Sequence, residues 1–129
     1  MNDSMVAPAF LRFRPTRLGA VFALSLGVSA CGGEEGKPTG STCPTDSSLT
    51  YANFGQAFVQ TNCLACHGSK GPESPKFDTA AQIRANAAEI DKNAAAGPDA
   101  INTVMPEGGS VSEADRRKLG EWLACGAPE

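Results

Sequence analysis

Two thiols and an imidazole stand close together in residues 62–71, NCLACHGSKG. Cys63, Cys66 and His67 occupy positions i, i+3 and i+4, so on a helical turn they point to the same side. Two thiols at this spacing can add to the two vinyl groups of a porphyrin, and the adjacent imidazole can bind the iron between them. This Cys-x-x-Cys-His pattern predicts one covalently attached haem, with Cys63 and Cys66 as attachment sites and His67 as an iron ligand.

Other chemistry for these cysteines has less support in the rest of the sequence. A structural zinc site needs four ligands, usually in two pairs, but the chain has one histidine and no second Cys-x-x-Cys. A thioredoxin-like dithiol would need a βαβ context, and no alternating strand pattern is present. A disulfide between Cys63 and Cys66 would leave His67 without a role. Haem attachment is therefore the preferred interpretation.

The first 30 residues are typical of an export leader. Residues 18–30 form an apolar run of 13 residues, which as a helix would span roughly 20 Å, less than the ~30 Å core of a bilayer. Residues 28–31, VSAC, resemble the lipobox of bacterial lipoproteins, in which the cysteine is acylated and becomes the first residue. We predict a lipoprotein signal peptide over 1–30 and a lipid on Cys31, which holds the exported protein on the periplasmic side of the inner or the outer membrane. A soluble periplasmic protein cleaved near Ala30 is the alternative.

Removal of this leader makes the chain more acidic. The whole sequence has 11 Lys and Arg against 14 Asp and Glu, and without Arg12, Arg14, Arg17 and Asp3 these become 8 and 13, a net charge of −5. The basic run at 116–118 is short and is interpreted as the solvated face of a helix. The sequence therefore argues against a nucleic-acid partner and favours redox partner proteins with a basic docking face.

Composition divides the remaining chain into a tether and a folded domain. Residues 31–48 have almost no apolar side chains and are rich in Gly, Pro, Ser, Thr and Glu, which predicts a flexible tether. Eleven residues separate Cys31 from Cys43, a span of at most ~36 Å when fully extended. The domain would extend from 49 to 129.

Three helical patterns are visible in that domain, and no strand pattern. Thr50 is a candidate N-cap for a first helix with an aromatic stripe. A second helix is predicted to start near 78 or 79 and to continue until Gly97 and Pro98 stop it. A third starts at Ser110 or Ser112, each of which is followed three residues later by an acid. The predicted class is all-α.

Taken in order along the chain, these pieces resemble a small bacterial class I cytochrome c over roughly residues 51–128. The resemblance rests on the aromatic first helix before CLACHG, the SPKF stretch, VMPEGG, and a last helix that carries tryptophan. It implies three to four helices wrapped around one covalent haem c. It also implies that the first and last helices cross closely, with Gly55 and Phe58 against Leu119 and Trp122.

The resemblance further implies a second axial ligand and an orienting bond for the first. In such proteins a methionine near the C-terminal helix binds the iron, and Met105 is the only methionine that remains after the leader. The histidine ligand donates its free N–H to a proline carbonyl, a role that Pro75 fits, with Pro72 as the rival. His67 and Met105 are therefore the expected iron ligands.

Counting cysteines leaves two without a role. With Cys31 assigned to lipid and Cys63 and Cys66 to haem, Cys43 and Cys125 remain. In an oxidising compartment they are predicted to form a disulfide, and two free buried thiols are the alternative.

These expectations combine into a membrane-tethered, single-haem electron carrier that is not an enzyme. Two alternatives stay open at this point. If Met105 does not bind iron, the open sixth position would suit a haem-based enzyme or a gas sensor. A non-haem lipoprotein stabilised by disulfides is the other.

Overall fold

Helices supply the regular structure of residues 36–129, the part of the chain that this computed structural model describes. These residues contain no β-strand, only an isolated antiparallel bridge between Ala96 and Ile101, so the all-α prediction is confirmed. No helix in this range has the length and hydrophobicity to cross a bilayer. The predicted leader and Cys31 lie outside the described residues. In chain order, a π-helical turn, Tyr51–Gly55, runs into α1 (Gln56–Asn62), followed by α2 (Leu64–His67), α3 (Ala80–Ala85), α4 (Ala87–Ala94) and α5 (Glu113–Ala124).

The three helix starts expected from the sequence are present, each at a hydroxyl side chain that caps the first turn. The Thr50 hydroxyl accepts a hydrogen bond from the backbone N of Asn53 (3.1 Å), and the Thr50 N–H donates to Asn53 Oδ1 (2.8 Å). Thr79 makes the same reciprocal pair three residues along the chain. Ser112 accepts from the backbone N–H three positions later. These bonds satisfy N–H groups that have no partner inside the helix.

The second predicted helix is interrupted at Asn86 and forms two helices, α3 and α4. Asn86 leaves helical geometry (φ −117°, ψ 16°), and its side-chain amide donates to the carbonyl of Gln82 at 2.8 Å. A side chain that bonds the backbone four residues earlier offers an alternative to a regular helix and bends it. The break occurs within a long alanine-rich run, where helical propensity alone predicts a continuous helix.

The core lies where the first helical segment crosses α5. Trp122 and Leu119 of α5 are fully buried, as is Ile83 of α3. A Cβ atom on Gly55 would collide with the indole ring of Trp122, so the close crossing of first and last helices is present and explains a glycine inside a helix. The rings of Phe54 and Trp122 meet edge to face with centroids 6.2 Å apart. This crossing sets the position of α1 and thereby of the turn that follows it.

Residues 36–41 lie in fixed contact with α4, where the sequence predicted a flexible tether. Thr39 is fully buried, and its hydroxyl and backbone N–H donate to the two carboxylate oxygens of Asp91 at 2.6 and 2.8 Å. The side-chain amide of Asn102 donates to the Lys37 carbonyl at 2.7 Å and accepts from the Lys37 N–H at 3.2 Å. Polar side chains distant in sequence thus hold a segment that has almost no apolar residues of its own.

Candidate haem site

Cys63, Cys66 and His67 lie on one helical turn between α1 and the end of α2. The backbone N–H groups of Cys66 and His67 donate to the Cys63 carbonyl at 3.2 and 2.8 Å. The two cysteines are free thiols, Cys63 partly buried and Cys66 exposed. The structure therefore gives the motif the helical spacing that haem attachment requires.

Burial shapes the chemistry of the Cys63 thiol. It raises the pKa of Cys63 to about 11, so the sulfur is uncharged at neutral pH. Cys63 packs against the apolar core, as does its neighbour Leu64. This pKa describes the thiol before haem attachment; once it has added to a vinyl group, the sulfur is a thioether, which is neutral at every pH.

The imidazole of His67 is held in a defined orientation. Its Nδ1 lies 2.8 Å from the carbonyl oxygen of Pro75, and since a carbonyl only accepts, Nδ1 carries the proton. The lone pair on Nε2 is then available for a metal. Phe77 stacks on the ring with centroids 4.8 Å apart. The structure therefore gives Pro75, and not the rival Pro72, this contact.

The loop from α2 to Pro75 is fastened to the same turn. The Glu73 N–H donates to the Cys66 carbonyl at 3.0 Å, and Lys76 Nζ donates to the Gly71 carbonyl at 2.7 Å. A Cβ atom on Gly71 would collide with the carbonyl oxygen of Cys66. Only glycine permits this approach, which closes the loop tightly enough to bring Pro75 back to the histidine.

Met105 lies on the irregular segment of residues 95–111 between α4 and α5, called here the Met105 segment. Its side chain is half-buried against the core. Its N–H donates to the Asn93 carbonyl at 2.8 Å, and its carbonyl accepts from Arg116 Nη1 at 2.7 Å. Both backbone groups of the expected second iron ligand are thus bonded to neighbouring helices.

Arg116 was not anticipated as part of this site. The run of basic residues at Arg116, Arg117 and Lys118 predicted a solvated helix face, but the exposed fraction of Arg116 is 3%. The other two residues are exposed, as expected. A signal was present in the sequence, because Arg116 stands three and seven residues before Leu119 and Leu123 and so shares the apolar face of α5.

The remaining pair of cysteines, Cys43 and Cys125, is joined by a disulfide with Cα atoms 4.7 Å apart across 82 residues of sequence. Cys125 directly follows α5. Close by, the Ser47 hydroxyl donates to a carboxylate oxygen of Glu121 at 2.6 Å. The bridge therefore ties the N-terminal part of the described chain to the end of the last helix.

The donor groups present suit a haem. Two thiols are available for the porphyrin vinyl groups, and one imidazole and one thioether for the iron. Residues 36–129 contain no group of three or more His, Cys, Asp and Glu side chains arranged to hold a metal ion alone. A haem needs none, because the porphyrin itself supplies four nitrogen ligands and the protein supplies the axial ones.

Comparison with known proteins identifies the family. The family model described as cytochrome c oxidase, cbb3-type, subunit III, matches residues 52–123, more than half of the 129 residues. No curated protein and no solved structure matches. Domains of this family bind covalent haem c and generally carry electrons, which excludes the non-haem alternative. The chain therefore belongs to the family of cbb3-type cytochrome c oxidase subunit III, and its domain is a class I c-type cytochrome.

Proposed function

We propose that this protein is an electron carrier tethered to a membrane through a lipid on Cys31, with the haem iron bound between His67 and Met105. The observation that carries the proposal is the hydrogen bond from His67 Nδ1 to the Pro75 carbonyl. It leaves Nε2 free and raises its basicity, as is usual for an imidazole that binds a metal. Electron carriage itself follows from the family.

Each residue of the site then has a separate task. Cys63 and Cys66 hold the cofactor covalently, which prevents its loss during repeated redox cycles. His67 would bind the haem iron, in the orientation that Pro75 and Phe77 give it. When bound, the haem supplies an iron that alternates between Fe(II) and Fe(III). The surrounding chain orients this group and keeps water away from it.

Met105 closes the sixth position. A thioether is a neutral ligand and raises the reduction potential, as in cytochromes c with His/Met ligation. A saturated iron has no place for a substrate, which favours a carrier over an enzyme or a gas sensor. Two hydrogen bonds support this role, because they hold Met105 next to the apolar core. The Met105 N–H donates to the Asn93 carbonyl, and the Met105 carbonyl accepts from Arg116.

Absorption spectroscopy and carbon monoxide binding to the reduced protein, purified after export, test the ligation. We expect covalent haem and little carbon monoxide binding, because a six-coordinate iron resists it. Rapid carbon monoxide binding by the wild-type protein would show that Met105 is not a firm iron ligand. That result would favour the gas sensor or the enzyme.

Export and anchoring rest on the sequence of the first 31 residues and on the Cys43–Cys125 disulfide, which is typical of an oxidising compartment. A diacylglycerol on the thiol together with an amide-linked chain is sufficient for stable anchoring. The net charge of −5 after the leader favours partners with a basic docking face.

Replacement of Cys31 by serine tests the anchor. We expect Cys31→Ser to move the protein from the membrane fraction to the soluble fraction while its haem spectrum stays unchanged, because the haem residues are untouched. Mass spectrometry of the wild-type protein provides the control. An unmodified Cys31 in that spectrum would disprove the lipid anchor.

A further inference from the structure

Arg116 is a buried cation whose acceptors are backbone carbonyls. Its Nη1 lies 2.7 Å from the carbonyl oxygen of Ala94, 2.8 Å from that of Asn102 and 2.7 Å from that of Met105. Within residues 36–129 the ion pairs involve other basic residues, so this guanidinium has no carboxylate partner there. Burial of an arginine raises the free energy of the folded state unless the guanidinium makes hydrogen bonds. The three carbonyls supply these bonds, and in return the guanidinium holds the backbone that carries them.

These carbonyls span the chain from the end of α4 to the expected ligand. Ala94 is the last residue of α4, and its carbonyl is one of those that a helix leaves without an internal partner. Asn102 and Met105 follow on the Met105 segment. A fourth bond joins the backbone as well, because the Ala96 N–H donates to the Arg116 carbonyl at 2.9 Å. One residue of α5 thus fixes this stretch at four points.

The guanidinium is a dependable donor for this purpose. Burial lowers the pKa of Arg116, but the ordinary pKa of arginine is so high that the guanidinium keeps its proton in proteins. Hydrogen bonds from a charged donor are stronger than those between neutral groups. Because Nη1 carries two hydrogens for three carbonyls, at least one hydrogen is shared between two of them, and a neutral side chain would lose the charge that strengthens all three contacts.

We propose that Arg116 is the positioning residue for Met105, which holds the backbone of that residue so that the thioether stays on the iron. The inference rests on the proposed bond between Met105 and the iron, and it adds what maintains that bond. Without the Arg116 side chain, the Met105 backbone keeps its hydrogen bond to the Asn93 carbonyl but loses its hydrogen bond to α5, while the Ala96 N–H still bonds the backbone carbonyl at position 116. The thioether then leaves the iron more often, and the sixth position opens.

Two variants of Arg116 and one of Lys118 test the proposal in the full-length, haem-loaded protein. Arg116→Gln removes the charge and shortens the side chain, whereas Arg116→Lys keeps the charge on a nitrogen that lies closer to the backbone. Lys118→Gln is the matched control, because Lys118 is exposed on the same helix and pairs with Asp115 at the surface. Met105→Ala defines the fully open site. The measurements are carbon monoxide binding to the reduced protein and the midpoint potential.

We expect Arg116→Gln to bind carbon monoxide at least ~10-fold faster than the wild type, as the loss of a charged buried hydrogen bond predicts. Its midpoint potential should fall toward that of Met105→Ala. Arg116→Lys should lie between Arg116→Gln and the wild type, and Lys118→Gln should behave as the wild type. A residue that only stabilised the fold would not move these two readouts in the folded protein.

If a folded Arg116→Gln protein binds carbon monoxide at the wild-type rate and has the wild-type midpoint potential, the inference about Arg116 is wrong. The proposed iron ligand Met105 would not be affected by that result. If that variant does not fold, the same two measurements on Arg116→Lys decide, and wild-type values would again overturn the inference. Wild-type protein that binds carbon monoxide as readily as Met105→Ala would instead overturn the proposed iron ligand, and the inference with it.

Discussion

The His67 side of the haem site and its proposed Met105 side are supported by contacts of different sequence range. On the His67 side, the imidazole bonds to Pro75 eight residues away. On the Met105 side, Arg116 reaches back 11 residues to Met105 and 22 to Ala94. Asn102, on the same segment, is bonded to Lys37 across 65 residues.

The difference indicates which side is more sensitive to the rest of the fold. A site made of short-range bonds persists as long as its own turn persists, whereas one made of long-range bonds depends on the docking of several elements. Segments with few regular hydrogen bonds open at lower free energy than helices in the core. We therefore expect the Met105 side to open first when the protein is destabilised.

Replacement of Met105 should have the largest effect, because it should open the Met105 side of the iron and leave the His67 side intact. Met105→Ala should keep the covalent haem and the His67 ligand, since Cys63, Cys66 and His67 are untouched, while the reduced form binds carbon monoxide readily. The weak iron–sulfur absorption band of the oxidised form should disappear, and the potential should fall. Val104→Ala, a change of the adjacent residue, is the control and should keep the band. A Met105→Ala protein with an unchanged spectrum would contradict the proposed ligand.

Loss of the disulfide should reduce stability without removing either ligand. In the chain-entropy model the 82-residue separation of Cys43 and Cys125 corresponds to at most about 4.5 kcal/mol. We expect the variant with both cysteines changed to serine to unfold at lower denaturant concentration. During that titration the iron–sulfur band should be lost before the helical signal.

Alkylation of the denatured, non-reduced wild-type protein serves as the control for that experiment. It should find no free thiol, because Cys63 and Cys66 carry haem, Cys43 and Cys125 form the bridge, and Cys31 carries the proposed lipid. Labelling of Cys43 and Cys125 would disprove the bridge, and simultaneous loss of both signals in the titration would contradict the order of opening.

Replacement of Pro75 should have the smallest effect. The His67 contact is made by the backbone carbonyl of Pro75, which Pro75→Ala retains. We expect a loss of about 1 kcal/mol or less in unfolding free energy, from greater freedom of the unfolded chain, and nearly unchanged iron ligation. Pro72→Ala is the matched control in the same loop. A large fall in potential for Pro75→Ala alone would show that the ring, and not only the carbonyl, orients His67.

The same contrast in sequence range explains what the sequence could predict. The Cys-x-x-Cys-His motif and the caps at Thr50, Thr79 and Ser112 are local, so a few adjacent residues are sufficient to recognise them. In contrast, the hydrogen bonds of Arg116 and of Thr39 reach partners that lie 11 to 52 residues away in the sequence. No local pattern specifies such partners.

The break at Asn86 is an intermediate case. Its side chain bonds a carbonyl only four residues earlier, but asparagine within an alanine-rich helix can also point into solvent. The sequence does not distinguish these two outcomes, because the choice depends on how α3 and α4 pack. Helix starts were therefore easier to predict than this interruption.

If Cys31 carries the proposed lipid, the attachment of residues 36–41 to α4 shortens the free segment between the domain and the membrane. Only five residue steps separate Gly36 from Cys31, a reach of at most ~18 Å, about half of what the full segment to Cys43 would allow. With lipid on Cys31, such a carrier cannot shuttle across a wide aqueous gap. It must meet its donors and acceptors by lateral diffusion in the plane of the membrane, and only those whose redox centres lie close to the bilayer surface.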